Sequence, residues 1–240
     1  MCHGWLWDMP TAVITGASGG AGRVVTRYFL EQGWDVQAHC HSDAGVEQLR
    51  QFLPAELQHR LSISIGDLGQ PGIAEQCIAD APAPVQAVVH LVGGIKAGTG
   101  LEETSPETLE EMWRINVQTT FMVLRAALPV LRQTGGAIVT VAAKAALHPE
   151  MRKSAYAAAK AAVIALTQAA AEEGRPYGVR ANVVVPSILR TPANLEWARE
   201  GEERQWVSVE EFAAAIFALC SDEGRAVSGA IIPMYGGIPA

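Results

Sequence analysis

Residues 11–15, TAVIT, form a short apolar run that ends in Thr15-Gly16-Ala17-Ser18-Gly19-Gly20-Ala21-Gly22 and passes directly into a helical pattern. A strand delivered through a glycine-rich turn into a helix limits what can follow. Glycines permit the tight turn and let backbone come close to a ligand, while the helix N-terminus aims free N–H groups at an anion. The spacing is T-G-x-x-x-G-x-G rather than G-x-G-x-x-G. Taken alone, the turn is open to two readings, a nucleotide-phosphate cradle or a structural strand–helix connection.

The rest of the chain repeats the same unit. Apolar runs that read as strands recur at 11–15, 35–39, 61–65, 85–91, 137–141, 180–185 and 230–233, and helical patterns fall at 21–32, 44–53, 73–80, 106–132, 154–173 and 209–221. Strands alternating with longer helices predict βαβ units, hence an α/β chain with one doubly wound parallel sheet of about seven strands and helices on both faces. Ser105 before Pro106 predicts a helix start there. No repeat or linker divides the 240 residues, so residues 9–240 read as one domain behind an N-terminal extension of residues 1–8.

Composition excludes several partner classes. The net charge of −7 argues against nucleic acid and anionic membrane surfaces. Charge-free stretches are too short and too interrupted by Gly and Pro to span a bilayer. The opening MCHGWLWDMP lacks a basic segment and is cut by Asp8, which does not fit a secretory leader. Cys2, Cys40, Cys77 and Cys220 are scattered with no CxxC pair, so no disulfide framework or metal site is expected, and the cytoplasm is the expected location.

Tyr156-Ala-Ala-Ala-Lys160 opens the alanine-rich helix. Positions i and i+4 share a face, and an ammonium one turn from a phenol favours phenolate, which would suit the tyrosine to acid–base work. Without other motifs, a Tyr and a Lys that merely share a helix face explain the pair equally well.

Taken together, these motifs resemble the short-chain dehydrogenase/reductase superfamily over residues 9–237. The marks are the 15–22 turn, Asp67 after the third strand, Asn116 in the long helix, Tyr156 with Lys160, the segment from Pro186 to Thr191, and Ser228-Gly229 with Gly236-Gly237. The resemblance implies a Rossmann-type NAD(P)-dependent oxidoreductase. It implies that Gly16, Ser18, Gly19, Gly20, Ala21 and Gly22 cradle the pyrophosphate, and that Asp67 with Leu68 reaches the adenine. Val92, Gly93, Pro186, Ile188 and Thr191 would line the remainder of the cofactor site. Tyr156 would move the proton, Lys160 would hold the nicotinamide ribose and lower the Tyr156 pKa, and Asn116 would hold a relay water. A homotetramer or homodimer built on the 106–132 and 154–173 helices is also implied.

Two departures matter. The superfamily's usual serine, 13 residues before the tyrosine, is Ala143 here. Losing an oxyanion donor costs on the order of 10²–10³ in rate. Either the substrate needs little polarisation, or Lys144 or His148 contacts it instead. Ala143-Lys144-Ala145-Ala146-Leu147, Val92-Gly93-Gly94, Thr191-Pro192-Ala193-Asn194 and Trp206 resemble dihydropteridine reductase-like members, which also lack the serine. That favours an activated C=N or quinonoid ring such as a dihydropterin. A carbonyl or 3-oxoacyl reductase, and an inactive cofactor-binding sensor or scaffold, are the alternatives. Second, the place of the usual ribose-binding acid is Cys40, followed by His41 and Ser42, so NADP(H) is favoured over NAD(H). Asp43 lies nearby, and no arginine does. His90, in place of a usual asparagine, reads as a packed structural histidine. Leu195, Trp197 and Trp206 are possible contacts of a short lid over a small-molecule substrate.

Overall fold

The computed structural model describes residues 9–239; the expected extension over 1–8, with Cys2, lies outside the described residues. Seven strands are found among those residues: β1 (Thr11–Thr15), β2 (Asp35–Cys40), β3 (Leu61–Ile65), β4 (Val85–His90), β5 (Ala137–Val141), β6 (Arg180–Pro186) and β7 (Ile231–Met234). They form one parallel sheet in the order β3-β2-β1-β4-β5-β6-β7. The central strands are buried on both faces, which explains their nearly continuous apolar sequences.

Helices α1 (Gly20–Glu31) and α2 (Asp43–Phe52) cover one face together with α9 (Val209–Cys220). Phe29, Leu30, Leu49, Phe212 and Ile216 pack there against β1 and β2. The opposite face is covered by α3 (Ile73–Ala79), α5 (Thr119–Thr134) and α7 (Ser154–Gly174). Two short helices, α6 (Lys144–Leu147) and α8 (Pro192–Leu195), lie in the loops after β5 and β6. These were not anticipated, because four-residue segments carry no measurable periodicity.

The expected single helix over 106–132 is a correction. It is α4 (Pro106–Met112), then a π-helical turn over Trp113–Gln118, then α5. Ser105 does cap α4, its Oγ accepting from Thr108 N at 3.3 Å with Pro106 following. The π turn has local causes. Asn116 Nδ2 donates to the Met112 carbonyl at 3.0 Å, and the Thr119 and Thr120 hydroxyls donate to the carbonyls of Ile115 and Asn116 at 2.7 and 2.6 Å. Side chains thus occupy backbone acceptors where a regular ladder would use N–H groups.

Candidate active site

All strands are parallel, so their C-terminal ends share one edge, and the sheet order reverses between β1 and β4. A crevice at that reversal is where open α/β sheets bind ligands. Gly16, at the end of β1, has φ +72, and a Cβ there would sit 3.1 Å from the backbone of Leu91 and Val92. Gly22 lies so close to the Gly16 carbonyl that no side chain fits. The turn therefore needs glycine at both places. Helix α1 starts after Gly19 with no side-chain cap and no acid in its first turn. Its orphan N–H groups and positive dipole end suit an anion such as a pyrophosphate. Gly20 faces Thr191, whose Cβ would be 3.1 Å from an added Cβ. The turn and the loop after β6 are thereby brought together, with Ala21 partly buried behind them.

The expected adenosine end is more dispersed. Ser18 Oγ packs against Gly45 beside the buried Cys40, whose thiol burial pushes up. Ser42 is committed to capping α2, its Oγ accepting from Gly45 N at 3.3 Å. His41 and Asp43 are exposed beside it. Asp67 Oδ1 accepts from Gly69 N at 2.9 Å, and Oδ2 lies 3.9 Å from an Arg114 nitrogen, with Leu68 buried next to it. Val92 is partly buried against the core.

Around Gly93 three elements meet. A Cβ there would lie 2.7 Å from Asn116 Oδ1 and 2.8 Å from Lys160 Nζ. Asn116 is fully buried; it accepts from Gly94 N at 3.2 Å and donates to Gly94 O at 2.9 Å. Lys160 Nζ donates to the Val141 carbonyl at 2.9 Å. The three expected parts, Asn116, Lys160 and Gly93, thus form one cluster, and Tyr156 stands one helical turn above Lys160 on α7. Burial lowers the Lys160 pKa to about 8. Burial raises Tyr156 to about 12, and the Glu150 carboxylate pushes in the same direction. Lys160, expected to lower the Tyr156 pKa, is not among the causes of this shift. The ammonium is turned to the Val141 carbonyl, and desolvation of the phenol dominates.

Ala143 is buried in extended backbone ahead of α6, a methyl where a hydroxyl was usual. Of the two proposed substitutes, Lys144 is already engaged. Lys144 Nζ donates to the Pro239 carbonyl and lies 5.8 Å over the Tyr235 ring. His148 is exposed and edge-on to the same ring at 5.8 Å. Tyr235 itself was missed; its Oη is buried with no hydrogen-bond partner. A lone aromatic after the last strand gives no sequence signal of this. Pro186 ends β6, the Ile188 carbonyl accepts from Val207 N at 3.1 Å, and Thr191 caps α8. Trp206 is buried with its indole N–H unpartnered, and its ring is 5.0 Å from that of the half-exposed Trp197. Leu195 is exposed. Among the described residues, no cluster of three or more His, Cys, Asp or Glu could hold a metal, and no helix is long and apolar enough to cross a membrane.

Residues 10–202 match the family model described as short chain dehydrogenase. The chain is similar to Protein FixR of Bradyrhizobium diazoefficiens, 30% identical, covering 94% of this chain and 85% of the relative. It is also similar to meso-2,3-butanediol dehydrogenase of Serratia marcescens, 28% identical over 98% of this chain and 96% of that one. Among solved structures, an oxidoreductase of the short chain dehydrogenase/reductase family from Burkholderia thailandensis superposes with a TM-score of 0.85. It is 28% identical and covers 96% of this chain and 92% of that chain.

Proposed function

We propose, since the chain belongs to the short chain dehydrogenase family and is an oxidoreductase of that family, that it reduces a small activated acceptor using NADPH. The favoured acceptor is a C=N bond or quinonoid ring, of which a dihydropterin is an example. The observation that carries the reading is the buried cluster of Lys160, Asn116 and Gly93 one turn below Tyr156.

The uncapped start of α1 and the residues from Gly16 to Gly22 would hold the pyrophosphate. Asp67 and Leu68 would take the adenine, and Val92, Gly93, Pro186, Ile188 and Thr191 would enclose the nicotinamide end. NADP(H) is favoured over NAD(H) because Cys40, His41 and Ser42 place no acid against a 2′-phosphate. When bound, the nicotinamide would supply the hydride. Tyr156 delivers a proton from Oη to the reduced substrate atom. Burial holds its pKa above the ordinary phenol value, so it carries its proton at neutral pH. Lys160 would hold the nicotinamide ribose, and Asn116 would hold the relay water of the proton supply. Ala143 offers no polarising hydroxyl, and Lys144 is held by Pro239, which favours an acceptor that is already electrophilic. The unpartnered Tyr235 Oη favours a second reading, in which it serves as the donor of a carbonyl or 3-oxoacyl reductase. A homodimer or homotetramer through α4–α5 and α7, placed in the cytoplasm, completes the proposal.

The test follows oxidation of NADPH and NADH against quinonoid dihydropterin, quinones, imines and simple ketones. We expect turnover on the activated acceptors, with ketones inert until Ala143→Ser is introduced. Tyr156→Phe should lose about 10²–10⁴ of turnover while still binding NADPH. Unchanged turnover in Tyr156→Phe would refute the proton-donor role. NADPH binding with no turnover on any acceptor would favour a sensor.

A further inference from the structure

Three buried polar residues lie in a row behind the site and have no role in the chemistry above. Thr15 closes β1, immediately ahead of Gly16. His90 is its register partner at the end of β4. Thr119 begins α5, straight after the π-helical turn. All three are almost wholly buried. Thr15 Oγ1 lies 2.7 Å from His90 Nδ1, and Thr119 Oγ1 lies 3.4 Å from His90 Nε2.

The far end of the row assigns its protons. Thr119 Oγ1 donates its one proton to the Ile115 carbonyl at 2.7 Å, inside the π turn. Only lone pairs remain on that oxygen, so it must accept from His90. Nε2 therefore carries the imidazole proton, and Nδ1 accepts from the Thr15 hydroxyl. Donation runs in one direction, from Thr15 through His90 and Thr119 to Ile115. Burial, with the charge of Lys160 nearby, lowers the His90 pKa to about 3, which is consistent with a permanently neutral ring.

The two ends of this row belong to different halves of the site. Thr15 leads into the glycine turn. Ile115 is next to Asn116, whose side chain holds Gly94 and faces Gly93. An imidazole presents a donor and an acceptor on separate edges of one rigid ring, which lets it span both hydroxyls.

We propose that His90 is a positioning residue that locks the glycine turn to the π-helical turn, so that the phosphate cradle and the Asn116–Lys160 cluster keep one fixed spacing. What each half binds rests on the reading in the preceding subsection; the link between them does not.

The test compares Thr119→Val, Thr119→Ser, His90→Leu and the His90→Leu/Thr119→Val double variant. The readouts are the NADPH dissociation constant by fluorescence titration, backbone hydrogen exchange at residues 16–19, and the thermal midpoint. Thr119→Val should weaken NADPH binding about tenfold and speed exchange at 16–19, a coupling of ordinary size. Thr119→Ser, which keeps the hydroxyl, should restore both. The double variant should bind no worse than His90→Leu alone, because both cut the same row. A folded Thr119→Val with wild-type exchange at 16–19, or additive losses in the double variant, would overturn the proposal. Should His90→Leu not fold, the two Thr119 variants decide it. Should the wild-type protein bind neither NADPH nor NADH, the cofactor reading fails, and the exchange data alone judge the link.

Discussion

Lys160 shows how a buried charge can oppose the fold that encloses it. Its ammonium is buried, and its one hydrogen bond among the described residues goes to a neutral carbonyl. The folded pKa of about 8 lies below the ordinary 10.5. The unfolded chain therefore binds more protons between those values, and stability attributable to this group rises with pH across that window. The penalty is fully present below pH 8. Lys160→Met keeps the length of the side chain without the charge. At pH 7 it should be more stable than wild type by about 3 kcal/mol, on the scale of 1.36 kcal/mol per pKa unit. The advantage should fade toward pH 10, while NADPH binding is lost. Urea denaturation of both proteins across that pH range measures it, and equal stabilities at pH 7 would contradict the buried-charge argument. That Tyr156 and Lys160 share one helix face was legible in the sequence because their spacing is local. The direction of the Tyr156 shift was not, since it depends on burial by distant segments. Thr119 and Tyr235 escaped notice for a related reason: hydroxyls are common, and only the fold shows which one is enclosed.

Elements with a strong period were read well. β1, β3 and β5 have the expected bounds, and α1, α2, α7 and α9 shift by no more than one residue at either end. The π turn was invisible because one wide turn barely disturbs an apolar stripe, and its cause is the chance to bond Asn116, Thr119 and Thr120 to nearby carbonyls. The same kind of side-chain capping ends α9. Arg180, at the start of β6, donates to the carbonyls of Leu219, Gly224 and Val227 at 2.7, 2.8 and 3.3 Å, and to Ser221 at 3.4 Å. One guanidinium thus satisfies the helix end and the turn leading to β7. Arg180→Met should leave these acceptors unpaired and destabilise the protein by about 2–4 kcal/mol, since charge-assisted bonds contribute roughly 1.5–3 kcal/mol each and water recovers part of the loss. Its position is at the N-terminal edge of the sheet, away from the glycine turn. NADPH affinity should therefore hold within about twofold, a free-energy change well under 1.4 kcal/mol. Urea unfolding and fluorescence titration check the two halves of this expectation; a protein of wild-type stability would show the caps to be dispensable.

At the level of the whole chain, the parallel sheet separates two surfaces. Its C-terminal edge gathers the glycine turn, the Gly93 cluster and the loops around α6 and α8. Its flank, formed by α4–α5 and α7, is apolar where it faces outward. Leu109, Trp113 and Phe121 are each about half exposed along one side of the α4–α5 unit. Phe121, Leu124, Leu128 and Leu166 line a groove between α5 and α7, with Arg125, Arg132 and Glu173 at its margin. Large side chains left uncovered in a row, rimmed by both signs of charge, fit a face that meets a second copy of itself across a two-fold axis. Alanines along α7 let such helices approach closely, and they supply no side-chain reason to stay apart. The sequence pointed to this pair of helices, but exposure of Trp113 and Phe121 is a property of the folded flank. Phe121→Glu places a charge in the middle of that face without entering the core. Light scattering at micromolar concentration should give the wild-type protein a mass that is a multiple of its 25.5 kDa chain. Phe121→Glu should shift that mass toward a smaller species with the circular-dichroism spectrum unchanged. A wild-type protein that scatters as a monomer, or a variant whose mass does not fall, would mean that the apolar flank is not the surface through which copies associate.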